Sequence, residues 1–84
     1  MLVGIQFSGT VGANATKRWY TWNWRTDRQI VWTVVPTSPN AGAAQIEWDV
    51  AVQRSAANAL TYWITIRNLT AADVTIEARY GMLP

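Results

Sequence analysis

Apolar and polar residues alternate along most of this chain, and the alternation is clearest in residues 45–54 and 60–68. The apolar positions are Ile46, Trp48, Val50 and Val52 in the first stretch and Leu60, Tyr62, Ile64 and Ile66 in the second. A period of two is typical of a strand with one face in the core and the other in water. The small and polar residues 55–59 predict a hairpin loop, so we expect these strands to pair antiparallel and to carry the central sheet.

Four further runs are typical of strands. Residues 2–11 alternate and contain glycines that permit a bulge, residues 29–35 are rich in β-branched side chains, and residues 74–80 alternate again. In residues 18–25, one face carries Tyr20, Trp22 and Trp24 and the other carries Trp19, Thr21 and Asn23. Turn-forming residues separate the runs, and no window has helical spacing. The sequence therefore predicts a single all-β domain, residues 1–84, built as a six-stranded antiparallel β-sandwich or small barrel.

The same alternation places three of the tryptophans. Trp32 and Trp48 fall on apolar faces, which predicts that both rings fill the core. Trp63 instead stands on the polar face of its strand, whose other members include Thr61, Thr65 and Arg67. A large aromatic side chain in that position needs a cover, which a ligand, a neighbouring subunit or a folded-over loop could supply.

Size and composition predict a homo-oligomer. A chain of 84 residues without cysteine has a small core and no disulfide to stabilise it. Only 14% of its residues are charged, where roughly a quarter is typical of soluble domains. Both observations favour burial of surface against other copies. Trp63 is the predicted anchor of that interface, with Thr61, Thr65 and Arg67 around it.

The set of reactive side chains argues against an enzyme. The chain has no histidine and no cysteine, so it cannot assemble a Ser-His or Cys-His pair or the usual zinc ligands. Glu47 and Asp49 share one strand face and could form a hydrolytic carboxylate pair, but cross-strand pairing with Arg67 or Arg79 is the simpler interpretation. No loop has the ligand spacing of a calcium site. We therefore expect no catalysis, no cofactor and no metal.

The sequence also lacks obvious targeting signals. The apolar run in residues 2–7 is short and interrupted, unlike a signal peptide, and no stretch approaches the roughly 20 apolar residues of a membrane helix. We expect synthesis in the cytoplasm and no membrane span, with the final location left open.

The clearest functional signal is the tryptophan content, because three of the six tryptophans fall within residues 19–24. Alternation cannot hide every ring of that cluster in one core, and arginines flank it. An exposed indole matches the apolar C–H face of a sugar ring, and Arg, Asn and Asp side chains match its hydroxyl groups. The predicted ligand-binding residues are Trp19, Trp22, Asn23, Trp24, Arg25, Asp27 and Arg28.

Two other interpretations of this cluster stay open. Its rings could simply fill a small core, or they could stack on the bases of a single-stranded nucleic acid. Four of the seven cations lie in residues 17–28, but the net charge is only +2 and acidic residues line the central strands. Because no continuous basic track results, nucleic acid is not the partner we expect.

From Gln29 onward the chain has an apolar strand, the loop Val-Val-Pro-Thr-Ser-Pro, the segment Ile-Glu-Trp-Asp-Val at 46–50, residues 61–70 ending in Ile-Arg-Asn-Leu-Thr, and a last strand. This layout resembles the H-type lectin domain found in discoidins and snail agglutinins. The resemblance implies a six-stranded antiparallel sandwich, a trimer, and sugar binding at subunit boundaries, so the expected homo-oligomer is a trimer or larger. The chain departs from that family in its last strand, where Ala-Arg-Tyr-Gly at 78–81 replaces a Trp-bearing segment. No sugar-contacting residue is carried over.

Two hypotheses of function follow from the sequence. The first is a small oligomeric lectin, whose repeated sites raise a weak affinity through avidity. The second is a non-catalytic structural or self-assembly protein whose exposed aromatic residues form subunit interfaces. The lectin hypothesis leads because the tryptophan cluster is also charged, whereas the centre of an interface tends to lose charged residues.

Overall fold

In the computed structural model, which describes residues Met1–Pro84, the alternating runs form six strands. They are β1 (Leu2–Val11), β2 (Thr16–Arg25), β3 (Gln29–Pro36), β4 (Ile46–Ala56), β5 (Ala59–Asn68) and β6 (Val74–Leu83). The predicted all-β antiparallel fold is confirmed, and of the two predicted architectures the arrangement is the sandwich. None of its elements is a helix with the length and hydropathy needed to cross a bilayer.

The six strands form two antiparallel sheets of three strands each. Sheet I has the order β1-β6-β3, and sheet II has the order β2-β5-β4. The predicted hairpin joins β4 and β5, with Ile46 opposite Asn68 at its open end. The central strand is β6 in sheet I and β5 in sheet II. Each of the other four strands therefore has one unpaired edge.

The core lies between the sheets and is built from their inward-facing side chains. Its buried apolar members are Val11, Trp32, Val34, Tyr62, Ile64, Ile66, Val74, Ile76 and Ala78. The alternation of β5 correctly predicted that Tyr62, Ile64 and Ile66 face the core, and Trp32 is buried as expected. Only 13 of the 84 residues are buried, so the core is small relative to the surface of the domain.

The prediction that Trp48 fills the core is wrong. Its register opposite Ile66 directs it to the inner side of sheet II, but the side chain is 37% exposed and Ile46 and Val50 pack against the core instead. β4 is an edge strand with a neighbour on one side only, so its inward side chains receive less cover than those of β5.

Register shifts interrupt the strict alternation of three edge strands. They lie between Ile5 and Phe7 in β1, between Thr21 and Trp24 in β2, and between Arg54 and Ala56 near the end of β4. The extra residue reverses the parity of everything that follows. Phe7 therefore packs against the core although Ile5 is exposed, whereas the alternation predicted for residues 2–11 would put both side chains on one face.

The buried side chain of Asn68 joins the β1–β2 and β5–β6 connections at one end of the sandwich. Asn68 Nδ2 donates to the carbonyl oxygens of Val11, Gly12 and Ala72 at 3.0, 3.1 and 2.7 Å. Its Oδ1 accepts from the backbone N–H and the hydroxyl of Thr70, both at 2.8 Å. The β1–β2 and β5–β6 connections are thus fixed to one side chain.

Candidate ligand-binding site

The outer face of sheet II carries a row of stacked groups, here named the aromatic ladder: Arg18, Trp63, Tyr20 and Trp22. Tyr20 and Trp63 lie opposite each other on β2 and β5, with ring centroids 5.0 Å apart. The guanidinium of Arg18 lies 4.9 Å from the Trp63 ring centroid, and Trp22 lies 5.6 Å from Tyr20 on the other side. The ladder therefore runs from a cation at one end to an indole at the other.

Trp63 obtains its cover within the same chain. It is half-buried between Arg18 and Tyr20, and its indole N–H donates to Gln53 Oε1 at 3.1 Å. These contacts within the chain cover part of the Trp63 ring. Thr61, another member of the predicted interface, is buried and offers little surface, while Thr65 is half-buried and Arg67 is exposed.

The open ring of the ladder is Trp22, which is 66% exposed. Its position follows from the bulge in β2, because Asn23 adopts a left-handed backbone conformation with φ of 67°. Asparagine tolerates that region better than most residues. The bulge leaves Trp22 on the outer face and turns the next tryptophan, Trp24, inward.

The predicted ligand-binding tryptophans are thereby divided between two places. Trp19 stacks on Phe7 with centroids 5.2 Å apart, and Trp24 packs edge-on against Trp32 at 5.5 Å. Both are half-buried rings between the sheets, and the Trp24 N–H donates to Thr21 Oγ1 at 3.0 Å. Of the three rings, only Trp22 is presented on the outer face.

The polar members of the predicted site gather beyond Trp22, at the end of sheet II. Arg25 donates to both carboxylate oxygens of Asp27, at 2.9 and 2.6 Å. This hydrogen bonding raises the pKa of Arg25 and lowers the pKa of Asp27. The pair lines a shallow recess of about 260 Å³ together with Thr26 and Asn58. Asn23 and Arg28 are exposed in the same part of the chain.

Sequence reasoning missed Arg18, Tyr20 and Gln53 as members of the face. Arg18 and Tyr20 share the parity of Trp22, which was a usable signal. The sequence could not predict that Tyr20 stacks on Trp63, because the stacking depends on the strand register that sets the two residues opposite each other. Gln53 lies on β4, and its contact with Trp63 depends on the separate register between β4 and β5.

At the other end of the face, a small recess is lined by Glu47, Trp48, Asp49, Thr65 and Arg67. Glu47 forms an ion pair with Arg67 at 3.0 Å, as the simpler interpretation predicted, whereas Asp49 forms none. Arg79 pairs with Glu77 on sheet I instead. No group of three or more His, Cys, Asp or Glu side chains is arranged to hold a metal ion.

No protein-family model matches this chain, and neither a curated protein nor a solved structure matches it. The resemblance to H-type lectin domains therefore rests on the sequence layout. A functional assignment has to come from the chemistry of the face itself.

Proposed function

We propose that the protein binds carbohydrate through the end of the aromatic ladder, as a small lectin. The observation that carries this proposal is the exposed Trp22 ring on β2, the strand whose last residue, Arg25, lines a hydrogen-bonded polar recess. An indole face provides an apolar platform for sugar C–H groups, and the stack of Tyr20 and Trp63 behind it holds the ring in place.

The Arg25–Asp27 pair supplies the polar half of the site. A sugar hydroxyl is both a donor and an acceptor, and the pair offers guanidinium N–H groups and carboxylate oxygens 2.6 Å apart. Because the charges of Arg25 and Asp27 offset each other, the recess suits the uncharged hydroxyl groups of a sugar. The side chain of Asn58 adds an amide to the same lining.

A glycan array probed with labelled protein tests the proposal. The wild type should bind a defined subset of glycans, and Trp22→Ala should weaken binding to them at least about tenfold, which is ~1.4 kcal/mol. Trp48→Ala is the matched control, because it removes a solvent-exposed tryptophan from the same sheet on its inner side. Absence of binding by the folded wild type, or equal losses in both variants, would contradict the proposal.

The alternative function, self-assembly without a ligand, has separate support in the molecule. That support is not on the aromatic ladder, where Trp63 is already covered by its own chain, but on the outer face of sheet I.

A further inference from the structure

The outer face of sheet I exposes a contiguous set of aliphatic side chains, here named the aliphatic face: Val3, Ile5, Val31 and the glycine between them, Gly81. The three side chains are 67%, 55% and 50% exposed, respectively. Register places Val3 on β1 and Val31 on β3 opposite Gly81 on β6, so the four residues lie together across all three strands. Exposed apolar surface gathered in this way marks an interaction site more often than scattered residues do.

Gly81 shapes the middle of the aliphatic face. A Cβ atom added there would approach Val31 Cγ2 to 3.1 Å and Val3 Cγ1 to 3.8 Å, so no larger residue fits without displacing a neighbour. The missing side chain leaves a shallow groove of about 470 Å³, lined mainly by apolar residues and open to solvent. Such a groove can receive aliphatic side chains from a partner.

The side-chain charges on this face are already neutralised. Arg79 lies opposite Ile5 on the neighbouring strand. Its Nε and Nη2 atoms donate to Glu77 Oε1 at 3.1 and 2.8 Å. Thr33 and Ser8 are uncharged, and the α-ammonium group of Met1, which lines the groove, is the one further charge there. A face with so little net charge repels an identical face only weakly, whereas a strongly charged one would repel it strongly.

We infer that the aliphatic face is a docking surface for a second copy of this chain, forming a two-fold dimer with sheet I of each copy in contact. Valine and isoleucine side chains offer no hydrogen-bonding groups to a sugar or a nucleotide, but they suit another aliphatic sheet face. A two-fold axis brings the same patch onto itself, so one groove and one set of valines serve both copies. The small core gives the chain a reason to bury more apolar surface.

The size of the face sets the strength of the dimer. Its strands have 10, 10 and 8 residues. At roughly 3.3 Å per residue and 4.8 Å between strands, three such strands span an outer sheet surface of about 450 Å², and the aliphatic face occupies one part of it. Two copies in full contact through sheet I would therefore bury no more than about 900 Å², below the ~1,000 Å² of a stable specific interface. The dimer is therefore expected to be weak and concentration-dependent, unlike the trimer or larger assembly expected from the sequence.

The geometry of this dimer would leave both aromatic ladders free. Sheet I and sheet II are opposite layers of the sandwich, so contact through sheet I directs the two ladders away from each other. If the ladders bind glycans, as proposed above, the dimer presents two sites on opposite sides and can join two glycan chains. The dimer itself does not depend on that proposal.

Analytical ultracentrifugation from low micromolar to millimolar protein tests the inference. The wild-type mass should rise from 9.4 kDa toward twice that value. Val31→Arg and Val3→Arg should each weaken self-association at least tenfold while the circular dichroism spectrum stays that of the folded wild type. Val52→Arg is the matched control, since Val52 is 61% exposed on sheet II, and should dimerise like the wild type.

Four results would overturn the inference. They are a wild type that stays monomeric throughout the series, a limiting mass of three or more chains, an unchanged dimer in both arginine variants, and a dimer lost in Trp22→Ala but not in Val31→Arg. If either arginine variant fails to fold, Ile5→Lys provides the same test from the edge of the patch. Glycan binding is measured on the same arginine variants. The proposed function predicts that they bind glycans whether or not they dimerise, so the two proposals can fail separately.

Discussion

Asn68 shows how much one polar side chain holds together in a domain with so few buried residues. Its amide satisfies three carbonyl oxygens from two connections, and its own oxygen caps the Thr70 turn. Buried backbone carbonyl groups that lose a partner have no water to replace it. The sequence pattern did not single out this residue, because an asparagine at the end of a strand is an ordinary turn signal.

Asn68→Ala should lower the free energy of unfolding by about 2 to 4 kcal/mol, since it removes five hydrogen bonds that join the two connections, one of them, to the Val11 carbonyl, buried. Asn40→Ala, which alters an exposed loop residue, is the control and should change the free energy by less than about 0.5 kcal/mol. Urea denaturation of the two variants measures the difference. Similar midpoints would show that Asn68 does not have this role.

Tyr62 predicts a dependence of stability on alkaline pH. Burial of its ring raises the pKa of its hydroxyl, because the phenolate is less well solvated in the core. The folded-state pKa then lies above the unfolded value of about 10, so stability is full below pH 10 and falls as pH rises through the folded-state pKa. Tyr62→Phe should move the alkaline unfolding midpoint, followed by circular dichroism, to higher pH. Tyr20→Phe, at an exposed position, should leave it unchanged; equal shifts in both would refute the assignment.

At the scale of elements, the sequence predicted the strands well and the bulges poorly. All six runs became strands with bounds close to those expected, because alternation records which side chains face the core. A bulge adds one residue that looks like any other polar member of the strand, as Gln6 and Asn23 do. Its effect is large, since Trp24 leaves the face that alternation would have it share with Tyr20 and Trp22 and lies in the interior.

The bulge in β2 can be tested through Asn23. A β-branched residue in the left-handed region costs roughly 1 to 2 kcal/mol, whereas glycine adopts it without steric strain. Asn23→Val should therefore destabilise the fold by about that amount, and Asn23→Gly should be close to the wild type in thermal unfolding. If Val is tolerated as well as Gly, the bulge is not held by the conformation of this residue.

At the scale of the whole molecule, the sandwich separates two kinds of surface. The ladder and polar recess lie outside sheet II, and the aliphatic face lies outside sheet I. The sequence placed a site among residues 19–28 and an interface around Trp63, and the structure brings Trp22 and Trp63 onto one face instead. Alternation along each strand could not show this, because it gives no information on which strands pair.

The central claim, that the Trp22 end of the ladder binds sugar, can be measured at single residues. Nuclear magnetic resonance resolves the indole N–H signals of the six tryptophans, assigned by one substitution each. During titration with neutral oligosaccharides of glucose, galactose, mannose and N-acetylglucosamine, the Trp22 signal should move most and saturate, while the Trp48 signal stays in place. Six unmoved signals with every sugar, or a larger shift at Trp48 than at Trp22, would contradict the account.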